Sequence, residues 1–209
     1  MRIQDASENA LLVELEPPAL HALSDWLARE PLPGQIDLHP GYRSLLVRYD
    51  CLATDPSPLR LELEQRHRHL SAWAAPAPRV HSLAVRFGGA AGADLEELAH
   101  ARNLSPRAVI ELFTSSTYTV AFLGFSPGFG YLSGLDPRLH TPRRASPRAR
   151  VPEGSVAIGG AHAAVYPRAT PGGWNLIGTS DALLFDASRT PAATFRAGDR
   201  VRFFDRERA

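Results

Sequence analysis

The stretch that decides the fold of this chain is Gly124–Gly160, GFSPGFGYLSGLDPRLHTPRRASPRARVPEGSVAIGG. Glycine and proline clusters divide it into short segments, and the rest of the C-terminal half continues in the same way. The short apolar segments of this half are Tyr118–Leu123, Ser155–Ile158, Ala163–Tyr166, Asn175–Ile177, Leu183–Phe185 and Val201–Phe204. Many short strands with turn residues between them are typical of a small β-barrel or sandwich. The pattern therefore predicts a β-barrel domain at residues 89–209.

Upstream of this stretch, strand and helix patterns alternate in a definite order. Strand-like alternation marks residues 11–15, 36–38, 45–49 and 80–87, and helical spacing of apolar residues marks 20–27 and 59–73. The order strand, helix, strand, strand, helix, strand is that of a ferredoxin-like α/β sandwich. The sequence therefore predicts an α+β chain whose N-terminal ferredoxin-like domain, residues 1–88, is joined to the barrel through Gly88–Gly92.

The composition restricts the chemistry that the chain can perform. All 23 basic side chains are arginine, so a Schiff-base lysine and a phosphate-binding P-loop lysine are both excluded. Any anion held by side-chain charge is held by arginine, whose planar fork suits carboxylate and phosphate groups. The net charge of +1 does not favour nucleic acid as a partner. No metal-binding motif is present, and no metal site is predicted.

The expected location is the cytoplasm. The longest apolar runs are far shorter than a membrane span requires, so no membrane association is predicted. The first ten residues, MRIQDASENA, lack the basic and then apolar pattern of a secretory signal.

Three segments of the predicted barrel contain the candidate site. The first, Gly124–Leu132, combines glycines such as Gly128 with the flat side chains of Phe125, Phe129 and Tyr131. Glycine permits positive φ angles and close backbone approach to a ligand, and the aromatic rings can wall a pocket. The alternative is an aromatic loop that packs on its own core.

The second segment is the arginine-rich stretch Pro137–Arg150. Its arginines include Arg143, Arg144 and Arg148, and no acidic residue lies between Asp136 and Glu153. Such a segment can bind phosphate or carboxylate through bidentate hydrogen bonds. A solvated loop, a subunit contact and a nucleic-acid arm are the alternatives.

The third segment is Val165–Gly178, which contains Tyr166 and the turn Pro171–Trp174 with Gly172 and Gly173. The turn presents Trp174 either to a cleft or to the core, where tryptophan is more common. If Trp174 anchors a partner, its removal abolishes association and spares the fold. If it is core, its removal costs stability.

These segments, together with FRAGDRVRFF at Phe195–Phe204, resemble the Kip-type family. That family comprises the B subunit of bacterial 5-oxoprolinase, also labelled allophanate hydrolase subunit 1, and inhibitors of sensor histidine kinases. The resemblance implies a cyclophilin-like barrel that acts with a larger C subunit and a third A subunit. The implied activity is the opening of 5-oxoproline to glutamate with ATP as co-substrate, together with Mg²⁺ in the complex. The alternative implied by the family is a non-catalytic inhibitor of a sensor histidine kinase.

The resemblance also suggests where a substrate or nucleotide binds. The predicted cleft residues are Gly128, Phe129, Tyr131, Arg143, Arg144, Arg148, Tyr166, Gly172, Gly173 and Trp174. No catalytic residue is assigned, and the isolated chain is expected to be inactive. The chain departs from the family pattern at Phe113, His162–Ala163 and Thr179–Ser180, where other members usually carry different polar residues.

Overall fold

A computed structural model describes residues 1–207 of the chain. They form two compact units, of which the first is Met1–Ala77 and the second begins at Pro78. Among these residues, no helix is both long enough and apolar enough to cross a lipid bilayer.

The first unit is an antiparallel sheet with two helices. Its elements are β1 (Arg2–Ser7), β2 (Ala10–Glu14), α1 (Ala19–Arg29), β3 (Gln35–Pro40), β4 (Ser44–Tyr49) and α2 (Pro56–His69), and the strand order is β1-β2-β4-β3. Alternate residues of the central strands are buried, because successive side chains of a strand point to opposite faces. The core contains Leu11, Val13, Leu23, Leu27, Leu32, Leu45, Val47, Tyr49, Leu59 and Leu63.

The predicted ferredoxin-like order is not confirmed for this unit. The unit starts with a β1–β2 hairpin where the sequence pattern predicts one strand, because β1, RIQDAS, is too polar and exposed to show a buried face. The strand at residues 80–87 pairs in the barrel of the second unit. Its alternating pattern predicts a strand correctly but does not say which sheet it joins. The unit boundary therefore precedes this strand, at the Ala75–Pro78 run, and not after residue 88.

The second unit is built on a closed seven-stranded barrel, as the sequence predicts. Its elements are β5 (Val80–Phe87), α3 (Leu95–Ala101), α4 (Pro106–Ser115), β6 (Thr117–Leu123), β7 (Gly130–Ser133), β8 (Arg148–Val151), β9 (Ser155–Gly159), β10 (His162–Val165), β11 (Thr170–Gly172), β12 (Asn175–Thr179) and β13 (Arg200–Asp205). The barrel order is β10-β7-β6-β13-β5-β12-β9, and β8 and β11 form a separate two-stranded sheet. The predicted strand at Leu183–Phe185 is wrong, because only an isolated bridge from Phe185 to Ala193 forms there.

Helix α4 packs on the barrel through an aromatic cluster. The ring of Phe113, fully buried, lies 4.8 Å from that of Phe203 and 5.3 Å from that of Tyr118, measured between ring centroids. Phe87 contacts it edge to face. Position 113 is therefore part of the apolar core in this chain.

A buried carboxylate joins the first residues of β5 to the start of β13. Asp199 is fully buried and accepts hydrogen bonds from Arg79 Nη2 at 2.6 Å and from the His81 ring at 3.0 Å. Arg79 Nε donates a third at 3.2 Å, and the backbone N–H of Arg196 donates a fourth at 2.9 Å. Burial by itself raises the pKa of the Asp199 carboxyl, but the hydrogen bonds from Arg79 and His81 outweigh it and hold the pKa below its ordinary value.

We expect Asp199→Asn to lower the free energy of unfolding at pH 7 by about 1.5–3 kcal/mol, because hydrogen bonds between charged groups are lost. A depressed carboxyl pKa contributes stability above the unfolded value of about 3.9, and this contribution disappears as pH falls through the folded value. The difference between wild type and variant should therefore shrink in urea titrations as pH falls below about 4. Asp181→Asn, at an exposed pair with Arg86, is the control and should change little. A difference that is constant with pH would contradict the expectation.

Candidate active site

An aromatic cavity of about 80 Å³ opens in the second unit. Its lining comprises Phe125, Phe129, Tyr131, Arg143, Tyr166, Gly172, Gly173 and Trp174, and these residues define what we call the aromatic cavity. They come from the loop after β6, from β7, from the arginine-rich stretch, from the position after β10, and from the end of β11 with the two residues that follow it. All three candidate segments therefore converge on one place.

The walls of the aromatic cavity are rings packed edge to face. The ring centroid of Phe129 lies 5.1 Å from that of Tyr131, 5.2 Å from that of Tyr166 and 5.7 Å from that of Trp174. Edge-to-face contacts at such distances are favourable, and each buried ring restricts its neighbours. The walls are consequently preformed in the folded chain.

Two glycines allow the rings to lie this close to the backbone. A Cβ atom at Gly159 would lie 2.4 Å from the indole of Trp174, and one at Gly172 would lie 2.4 Å from the hydroxyl of Tyr166. No side chain fits at either position without displacing a wall of the cavity.

Phe125 lies at the mouth of the cavity. It is 61% exposed, and its ring contacts those of Phe129 and Tyr166 edge to face. Its φ angle is +68°, in the left-handed region that residues other than glycine rarely adopt. The fold therefore presents an exposed ring at the cavity in a strained conformation, which is more common at functional positions than elsewhere.

Arg143 gives the cavity its charge. Its guanidinium carbon lies 5.6 Å from the ring centroid of Trp174, within the range of a cation–π contact. No acidic side chain is among the lining residues of the cavity. The electrostatic character of this site therefore favours an anionic group.

The other two predicted arginines lie against Asp94 and do not line the cavity. The Oδ1 atom of Asp94 accepts hydrogen bonds from Arg148 Nη2 at 2.6 Å and from Arg144 Nη1 at 3.0 Å. Its Oδ2 atom accepts one at 2.7 Å from the backbone N–H of Leu176. Asp94 is only 3% exposed. Asp94, Arg144, Arg148 and the backbone of Leu176 form what we call the Asp94 cluster. It connects the loop before α3 with β12 and with the arginine-rich stretch.

Tyr166 supplies a hydroxyl group to the aromatic cavity. Burial raises the pKa of its hydroxyl above the ordinary value, and a hydrogen bond from the backbone of Trp174 acts in the opposite direction. A hydrogen bond that lowers the pKa of a phenol is one that its oxygen accepts, here from the Trp174 N–H. The hydroxyl therefore remains protonated at neutral pH and keeps its own hydrogen for donation.

The predicted cleft residues thus divide into three groups. Those that line the aromatic cavity are Phe129, Tyr131, Arg143, Tyr166, Gly172, Gly173 and Trp174. Arg144 and Arg148 belong to the Asp94 cluster. Gly128 shapes the loop, since its φ is +80° and a Cβ there would lie 2.7 Å from Phe185. The role of Asp94 was not predictable, because its position at the start of a helix is typical of a favourable first-turn charge.

The positions that depart from the family pattern lie in separate places. His162 opens β10, and burial lowers the pKa of its imidazole. The ring contacts of Phe113 are with residues of β5, β6 and β13. Thr179 donates a hydrogen bond at 2.9 Å to the backbone carbonyl of Ala91.

Within residues 1–207, no group of three or more histidine, cysteine or acidic side chains has an arrangement that could hold a metal ion.

Comparison with known proteins identifies the family. The carboxyltransferase domain, subdomain C and D, matches residues 1–195. The B subunit of 5-oxoprolinase from Escherichia coli O157:H7 is 42% identical over 207 residues, which cover 94% of this chain and 92% of the relative. This chain belongs to the family of 5-oxoprolinase B subunits. The B subunit of the Bacillus subtilis enzyme, 37% identical over 88% of this chain and 81% of its own length, supports the same assignment. The resemblance to the Kip-type family is thereby confirmed.

Solved structures share the fold of this member of the 5-oxoprolinase B-subunit family. TTHA0988 is 34% identical with a TM-score of 0.81, and the match covers 98% of this chain but only 40% of that longer chain. PH0987 from Pyrococcus horikoshii matches over 99% of both chains, with 32% identity and a TM-score of 0.59. The urea amidolyase of K. lactis, 18% identical with a TM-score of 0.72 over 14% of its length, shares the fold alone.

Proposed function

We propose that this chain is the B subunit of an ATP-dependent 5-oxoprolinase, which converts 5-oxoproline, ATP and two water molecules to glutamate, ADP and phosphate. The observation that carries the proposal is the 42% identity to the B subunit of a 5-oxoprolinase across nearly the full length of both chains. The aromatic cavity supports it, since a preformed apolar site with one cation suits a small acid.

The relatives are named as one subunit of a larger enzyme, and the proposed partners are a larger C subunit and a third A subunit. The cavity itself supports a need for partners. It contains no acid, no histidine and no serine or cysteine nucleophile among its lining side chains. A carboxylate or histidine base and a serine or cysteine nucleophile therefore have to come from other surfaces of the complex. No observation favours the histidine-kinase inhibitor, and we do not propose it.

The expected result is that the purified chain alone releases no glutamate from 5-oxoproline and ATP, whereas the chain mixed with its A and C subunits does. The measurement is an enzymatic assay of glutamate with and without ATP and Mg²⁺. Mixtures that lack this chain are the control and should be inactive. Turnover by the chain alone, or full turnover without it, would contradict the proposal.

A further inference from the structure

We propose that the aromatic cavity binds the cyclic acid and not the nucleotide, with Arg143 holding the carboxylate and the Tyr166 hydroxyl donating to the ring carbonyl. This inference rests on the proposed function, because it assigns one of the two substrates of that reaction to this chain.

The size of the cavity is the first reason. Its volume of about 80 Å³ is well above the minimum of roughly 10–15 Å³ that a single water molecule needs. Such a space holds a small ring with its substituents. A nucleotide with its base, ribose and phosphates is far larger, so most of it would lie outside the cavity.

The distribution of charge is the second reason. A nucleoside triphosphate is usually bound by several cations or by a metal ion held by carboxylates. The cavity lining provides Arg143 and no carboxylate. Arg144 and Arg148 are engaged by Asp94, with both guanidinium groups directed at its buried oxygen. The lining residues therefore do not suit Mg²⁺ with a triphosphate, but they suit the single carboxylate of a small acid.

The composition of the walls is the third reason. The two polar groups that we assign to the acid come from different segments of the chain, Arg143 from the arginine-rich stretch and Tyr166 from the position after β10. The rings of Phe129 and Trp174 add apolar walls to the same cavity. A small ring that carries a carboxylate and a carbonyl matches this combination of a cation, a neutral hydroxyl donor and aromatic surface.

The two contacts can be tested separately by equilibrium binding to the assembled complex without ATP. Each contact is tested with a probe molecule that lacks the chemical group which that contact recognises. 5-Oxoprolinamide keeps the lactam and lacks the carboxylate, whereas cyclopentanecarboxylate keeps the carboxylate and lacks the lactam. We expect Arg143→Gln to weaken 5-oxoproline binding about tenfold to a hundredfold and to leave binding of the amide unchanged. We expect Tyr166→Phe to weaken 5-oxoproline binding up to about tenfold and to leave cyclopentanecarboxylate unchanged.

Steady-state kinetics separates the two substrates. Arg143→Gln should raise the KM for 5-oxoproline and leave the KM for ATP as in the wild type. The matched control is Arg150→Gln, since Arg150 is an exposed arginine of the same stretch that does not line the cavity.

The possible results distinguish this inference from the proposed function. A rise in the KM for ATP alone, or unchanged 5-oxoproline binding in both variants, overturns the inference even if the complex is active. A complex that binds 5-oxoproline in an Arg143-dependent way but never releases glutamate supports the inference and contradicts the proposed function. A complex that does not bind 5-oxoproline at all contradicts both.

Discussion

Asp94→Ala should lower the free energy of unfolding by about 3–5 kcal/mol, the cost typical of breaking a buried ion pair by removing one partner. The carboxylate of Asp94 is buried and accepts hydrogen bonds from two guanidinium groups and one backbone N–H. Alanine leaves the partly buried charges of Arg144 and Arg148 without this partner. It also removes the side-chain acceptor of the buried Leu176 N–H.

Chemical denaturation monitored by circular dichroism measures this effect. The control is Glu97→Ala, because Glu97 contacts the same Arg144 at 3.1 Å but its side chain is 72% exposed. Exposed pairs contribute about 0–1 kcal/mol, so this variant should remain close to wild type. Equal losses in the two variants would show that the Asp94 cluster does not stabilise the fold as its burial and hydrogen bonds indicate.

Trp174→Ala should also cost about 3–5 kcal/mol of stability, the range for truncating a buried aromatic side chain. The indole is only 5% exposed and contacts the rings of Phe129 and Tyr131. Its removal leaves a void against Gly159, where no side chain is present to fill the space. The alternative role of Trp174, as a partner anchor whose loss spares the fold, is not supported by its burial.

Thermal unfolding and association with the partner subunits should be measured on the same Trp174→Ala preparation. Phe125→Ala is the control, because this ring lines the same cavity but is largely exposed, and we expect it to change stability by less than about 1 kcal/mol. Loss of association by Trp174→Ala with unchanged stability would restore the anchor role.

The barrel could be predicted because its strands have a recognisable local sequence pattern. Segments such as Tyr118–Leu123 and Val201–Phe204 are apolar, short and bounded by turn residues, and both are barrel strands. The predicted ferredoxin-like order was not confirmed, and the reason lies in strand pairing between distant parts of the chain. Which sheet the strand Val80–Phe87 joins depends on its pairing with residues far away in the chain, and local periodicity contains no information about that pairing.

The candidate site, too, could be predicted only in part from the sequence. Phe129, Tyr166 and Trp174 were predicted as cleft residues through the family resemblance, because the residues alone left open whether these rings line a cleft or pack in the core. The roles of the arginines were not predictable. Arg143, Arg144 and Arg148 look alike in the sequence, but Asp94, distant along the chain, binds two of them and leaves the third beside the indole.

The closure of the barrel has a consequence for the order in which the chain matures. β5 and β13 pair in parallel, with Val80 opposite Arg200, although nearly the whole second unit separates them along the chain. Contacts between such distant segments form slowly. During synthesis β5 and β13 cannot pair until β13 has left the ribosome. The sheet of residues 1–77, whose contacts lie within its own short length, has no such delay. Any protein that recognises the closed barrel consequently cannot bind the growing polypeptide before β13 has been made and has paired with β5.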